Sequence, residues 1–157
     1  MKYISKNFTK AEMIRSNTAT RLGISNEPNE DAIDNLVLLA KNLLQPLRQH
    51  LGPIRITSGF RSPDLCVALG SKKTSQHTLG MAADCVFISR GKMDNKKLFD
   101  AVIGLNLEFD QMINEFDYKW IHISYNKDNN RKQILDAYKD ENNKTKYQFH
   151  QLKFKSL

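Results

Sequence analysis

Apolar residues recur at three- and four-residue steps through Ile33, Leu36, Val37, Ala40, Leu43, Leu44, Leu47 and Leu51, which is one buried stripe along a long helix. Pro46 falls inside that stripe. It has no N–H and crowds the preceding turn, so it predicts a kink or a break, and Gly52-Pro53 predicts the stop. Upstream, Thr9 followed by Glu12 reads as a capping box ahead of a short helix over about 10–21 that ends near Gly23. The stretch ISNEPNE between the two helices, with Pro28 and paired asparagines, reads as a loop.

Beyond residue 52 the period changes. IRITS (54–58) alternates as a strand does, and AADCVF (82–87) is a second short strand in which Asp84 shares a face with Ala82 and Val86 while Cys85 points the other way. Asp94 can cap a helix running through Leu98, Phe99 and Val102 to Gly104. DQMINEF (110–116) and WIHISY (120–125) form a hairpin. With residues 116–119 as its turn, Glu115 lies opposite Trp120 and Ile113 opposite His122. Gln111, Glu115, Trp120, His122 and Ser124 then share one face. KQILDAYKD and KTKYQFHQL in the tail read either as a peripheral hairpin or as mixed helix and strand. The expected fold is α+β, a small antiparallel sheet flanked by helices, in a single domain spanning 1–157.

Composition narrows this little further. The chain has 157 residues, 40% hydrophobic and 26% charged, and no run approaches the roughly 18 apolar residues of a membrane span. MKYISKNFTKAEMIRS lacks a continuous apolar core, so no secretory signal and no stable membrane insertion are expected. The net charge of +7 favours approach to a polyanion, whether nucleic acid, anionic lipid or bacterial envelope. The basic clusters Lys72-Lys73 and Lys96-Lys97 do not alternate with aromatics as a base-stacking platform would, which ranks nucleic acid last among these partners. Cys66 and Cys85 lack zinc-finger spacing and read as buried free thiols, with a single bridge between them as the alternative.

The candidate chemistry lies in SGFRSPDLCVALGSKKTSQHTLGMAADCVF, residues 58–87, where Arg61, His77 and Asp84 stand on ground rich in small residues. A catalytic zinc takes three protein ligands and leaves a fourth position open, and His77, Asp84 and His122 are candidates for that set. Each also has a plain structural reading: His77 as a hydrogen-bonded loop residue, Asp84 as a strand-end carboxylate, His122 as a half-buried sheet residue. On the hairpin face, Glu115 sits diagonal to His122 as a candidate base, with Asp117 in the turn as the weaker contender. His50 and His150 read as surface residues.

SGFRS, SQHTLGMAAD and WIHIS together resemble the zinc D-alanyl-D-alanine carboxypeptidase family (peptidase M15), and the compact phage-encoded members in particular. The family pattern S-x-H-x-x-G-x-A-x-D is met by Ser75, His77, Gly80, Ala82 and Asp84, and its downstream W-x-H by Trp120 and His122. The resemblance covers about 8–126, leaving 127–157 as a C-terminal extension. It implies Zn²⁺ held by His77, Asp84 and His122. It implies Arg61 binding a substrate carboxylate or steadying the oxyanion, and Ser75 supporting the site through a hydrogen bond; Gln111 and Trp120 are substrate-side candidates from the hairpin face, Trp120 as a cleft wall or core anchor. Where the family often has a catalytic carboxylate, three residues before the last His, this chain has Lys119, which leaves the base open between Glu115, favoured by the hairpin argument, and Asp117.

The implied activity is metal-assisted hydrolysis of a peptidoglycan stem peptide at an L-Ala–D-Glu or a D-Ala–D-Ala bond, by an endolysin-like monomer in the host cytoplasm that reaches the wall after holin-like release. The alternative is a noncatalytic, zinc-stabilised cell-wall-binding or virion component on the same fold.

Overall fold

The structure is a computed structural model, and it describes residues 1–152. The apolar stripe of residues 33–51 does form one rod, built of α3 (Glu30–Leu39), a π-helical segment Ala40–Leu44, and α4 (Gln45–Leu51). Pro46 is the reason for the middle segment. The N–H of Gln45 bonds back to Ala40 O, and the wider π turn carries the chain past the residue that cannot donate. The expected helix over 10–21 is instead two, α1 (Lys10–Ile14) and α2 (Asn17–Leu22), because the Ser16 hydroxyl accepts from Ala19 N and starts a second helix. The Thr9 cap ahead of α1 is present, its hydroxyl accepting from Glu12 N.

Tyr3–Ser5 (β1) and Phe8–Thr9 (β2) make a two-stranded ribbon. The main sheet contains β3 (Ile54–Ser58), β4 (Ala82–Ser89), β5 (Lys92–Met93), β6 (Gln111–Glu115), β7 (Trp120–Ser124), β8 (Gln133–Lys139) and β9 (Thr145–Phe149). Its order is β3-β4-β7-β6-β8-β9, with β5 pairing β4. The expectation of a small antiparallel sheet therefore needs correction: the sheet has seven strands, and β6 and β8 run parallel. The pairing is parallel because residues 116–132, with the whole of β7 among them, lie between the two strands and return the chain to its starting end.

The tail resolves in favour of a hairpin, β8–β9, and the extension expected at 127–157 is described as far as residue 152. Two further helices lie among the described residues: α5 (Pro63–Ala68), capped by Ser62 with Pro63 in its first turn, and α6 (Asn95–Gly104), capped by Asp94.

Alternation along the strands separates core from cleft. Ile56, Ala83, Cys85, Phe87, Ile121 and Ile123 face the helices and pack with Leu36, Leu43, Leu47, Leu98 and Phe99. The opposite face carries Asp84, His122 and Glu115. Cys66 and Cys85 are both buried free thiols. His150 departs from its expected surface role, since its Nδ1 lies 2.8 Å from Asp136 Oδ1 and its ring lies 4.8 Å from that of Phe99. Among the described residues, no helix is long and apolar enough to cross a membrane.

Candidate metal centre

β4 and β7 pair so that Asp84 stands directly opposite His122, on the face turned away from the helices. His77 arrives from the 3₁₀ turn Gln76–Leu79, which Gly80 closes in the left-handed region at φ +70°. A Cβ at Gly80 would stand 2.2 Å from Ala32 O, so the turn can press against α3 only with glycine there. Gly59 makes a similar close approach, its virtual Cβ 2.2 Å from Met13 O, and its own carbonyl accepts a hydrogen bond from His77 Nδ1 at 2.6 Å. A carbonyl can only accept, so the Nδ1 proton is fixed and the Nε2 lone pair is left for another partner.

Donor atoms of His77, Asp84 and His122 all lie within 4.8 Å of one another. His77 Nε2 is 3.4 Å and His122 Nδ1 3.1 Å from the same oxygen, Asp84 Oδ1. Tetrahedral zinc with bonds of 2.0–2.1 Å sets neighbouring donors about 3.3 Å apart, so two edges of this triangle already have the length a shared zinc would give them. The donor set of two imidazoles and one carboxylate, all buried, also suits that ion. Asp84 Oδ2 is engaged separately by Arg61 Nη2 at 2.6 Å, and Arg61 Nε donates to Ser58 Oγ at 2.7 Å. A bulge between Ile56 and Ser58 puts Ser58 opposite Asp84 and makes this pair of contacts possible. Burial alone would push the Asp84 carboxyl up, but His77 and His122 outweigh it and hold the group far below the usual carboxylate range.

The hairpin register matches the alternation argument: Glu115 pairs with Trp120 and Ile113 with His122. Its turn holds Phe116, Asp117 and Tyr118 in succession at φ +51°, +58° and +62°. Asn95, buried in α6, fastens this strained turn by donating to Tyr118 O and Lys119 O. Glu115 is 8% exposed and lines a cleft of about 640 Å³ together with His77, Asp84 and His122. Burial pushes its carboxyl up to about 7, despite the lowering effect of His122.

Arg61, Ser75, Gln111 and Trp120 line the same cleft. Ser75 Oγ accepts from His77 N, Gln111 donates to Gln133, and the Trp120 ring stands 5.4 Å from that of Phe116. Asp117 and Lys119 are exposed and do not line it.

Several positioning residues were not visible in the sequence. Asp110, buried at the entrance to β6, binds Arg131 through both oxygens and accepts from Gln76 Nε2 at 2.7 Å, which ties the residue beside His77 to the sheet. Asn26 donates to Ile14 O and Phe60 O and accepts from Ser62 N, holding the Arg61 segment against α1. Their partners are distant in sequence, so no local spacing announces them.

The family model described as Peptidase M15 matches residues 6–124. No curated protein matches the chain.

Proposed function

The chain belongs to the peptidase M15 family, and from that premise we propose that it is a zinc-dependent hydrolase of peptidoglycan stem peptides, cutting an L-Ala–D-Glu or a D-Ala–D-Ala bond. One observation carries the reading. Donor atoms of His77, Asp84 and His122 converge, and among the described residues Glu115 is the one further carboxylate that lines their cleft. When bound, zinc would serve as a Lewis acid toward the scissile carbonyl and would lower the pKa of water at the site.

The remaining work falls to the chain itself. Glu115, with an affinity for protons balanced near neutrality, takes the proton of the attacking water and passes it to the departing amine. Arg61 holds Asp84 in place through Oδ2 and Ser58 through Nε, and its Nη1 hydrogens would serve a substrate carboxylate or the developing oxyanion. Trp120 walls the cleft beside Glu115. The charge of +7 supports approach to an anionic envelope, an attraction that salt weakens. The biological corollary is an endolysin-like role at the bacterial wall after holin-like release.

The test is digestion of purified peptidoglycan with and without chelator. Release of new amino termini that stops with chelator and returns with zinc supports the proposal. Binding to the wall with no cleavage at any zinc concentration rejects it in favour of a noncatalytic wall-binding component.

A further inference from the structure

The cleft does not end where the family match ends. Pairing across the sheet lines up two transverse rows on the cleft face. One runs Asp84, His122, Ile113, Leu135, Phe149; the other runs Trp120, Glu115, Ala137, Tyr147. The last two residues of each row belong to the β8–β9 hairpin, which lies beyond residue 124. Ala137 is the only side chain between Glu115 and Tyr147 in its row, and it is a methyl group. The tyrosine ring can therefore lean inward over it, and Ala137 is 3% exposed although nothing larger stands at that position.

Leu135, Thr145 and Tyr147 line the same cleft as the metal-ligand candidates. Tyr147 is 54% exposed although it lines this cleft, so its ring is open to a ligand, while Phe149, further along the same strand, lines a separate hollow. Burial, with the charges of Glu115 and Asp84, holds the Tyr147 phenol above its usual value, so it stays protonated through the neutral range.

We propose that the hairpin, through Tyr147, supplies a remote subsite that grips substrate residues well away from the cut bond, so that the chain requires an extended peptide. Three strand intervals separate the backbones of β7 and β9, about 14 Å at the usual spacing, and because the Tyr147 ring leans inward an extended peptide bridges the remaining gap with about two to four residues. The ligand is thus a stem peptide laid across the strands from His122 toward Tyr147 at the sheet edge, on the side away from Arg61. Its chemical class rests on the peptidase reading above. The ring, rather than the hydroxyl, provides the grip by stacking on peptide planes and aliphatic stems.

The experiment measures binding of a synthetic stem pentapeptide, and of its L-Ala–D-Glu and D-Ala–D-Ala dipeptide fragments, to the zinc-loaded full chain carrying Glu115→Gln, which stops turnover. Adding Tyr147→Ala is expected to weaken pentapeptide binding at least tenfold and to reduce the preference for pentapeptide over dipeptides by a similar factor. Tyr147→Phe should restore binding to within threefold, with zinc stoichiometry and circular dichroism unaltered throughout. Pentapeptide affinity within twofold of the parent in Tyr147→Ala, equal losses for long and short ligands, or no pentapeptide binding at all would each overturn the inference. Hydrolysis is scored separately on the unsubstituted chain. Tyr147-dependent binding without cleavage would reject the hydrolase and keep the subsite, whereas cleavage indifferent to Tyr147 would do the reverse.

Discussion

Asp84 and His122 face each other across adjacent antiparallel strands, with His122 Nδ1 3.1 Å from Asp84 Oδ1, while the second oxygen of the same carboxylate is taken by Arg61. The carboxylate is divided: one oxygen turns toward the two imidazoles and the other is anchored from behind. Anchoring of this kind fixes the direction of a metal ligand's lone pairs and typically changes metal affinity by about 10–100-fold when removed.

Arg61→Ala should accordingly weaken zinc binding about 10–100-fold, and Arg61→Lys should fall between it and the parent because a point charge cannot reproduce the two-pronged contact with Asp84 and Ser58. Competition against a chromophoric chelator reads this directly. Equal affinities in all three proteins would remove Arg61 from any role in orienting Asp84.

Glu115→Gln should reduce turnover by about 10²–10⁴-fold with zinc stoichiometry unchanged, since the amide keeps the shape and cannot accept the proton. Asp117→Asn should leave turnover within about twofold, because Asp117 is exposed outside the cleft. Reversal of these two effects would move the base to the turn.

The rate should also depend on pH through Glu115. Only the deprotonated carboxylate can act as base, so kcat/KM falls about tenfold per pH unit on the acid side of its value. Burial raises that value to about 7 in the metal-free cleft, and a cation held by the three ligands would lower it, so the acid limb of the loaded enzyme should bend at or below about pH 7. The limb should be missing from the residual activity of Glu115→Gln.

Stability carries the opposite signature in the metal-free protein. A carboxyl raised from 4.5 to about 7 on folding binds more protons in the native state between those values, so native stability falls as pH rises through that window. Replacing it by Gln should therefore stabilise the apo chain at pH 8, by about 1–3 kcal/mol after allowance for solvent in the cleft, and have little effect at pH 4. Thermal melts at the two pH values check the sign. A Glu115→Gln chain less stable at pH 8 would show that the carboxylate is a favourable contact.

Gly80→Ala should cost roughly 3 kcal/mol or more and disrupt zinc binding, because the new Cβ meets the Ala32 carbonyl and the turn that delivers His77 must move. Gly91→Ala, at φ +76° with nothing within 4 Å of the added carbon, should cost only about 1 kcal/mol. Chemical denaturation of both variants separates the clash from the backbone strain.

The hairpin side of the candidate site was legible because it obeys a short period, whereas His77, Asp84 and Arg61 stood out through the motif they share with the family. Alternation in WIHIS puts Ile121 and Ile123 in the core and His122 in the cleft, and the four-residue turn then fixes Glu115 against Trp120; both follow from strand geometry, and both are present in the fold. The apolar stripe of residues 33–51 likewise gave the long helix and the irregularity at Pro46. Long-range pairing was not legible. Nothing local indicates that β8 runs parallel beside β6, and for that reason Leu135, Thr145 and Tyr147 could not be assigned to the cleft. Nor does spacing reveal Asp110 as the link between Arg131 and Gln76. Arg61 was expected to face substrate, but its anchoring of Asp84 depends on a bulge at Ser58 that alternation cannot predict.

The most direct measurement is zinc stoichiometry by titration of the purified chain beside His122→Ala, with circular dichroism to verify folding. One zinc per chain is predicted for the parent, and none at the same concentrations for a folded His122→Ala. A folded variant that binds zinc as tightly as the parent would contradict the shared site of His77, Asp84 and His122.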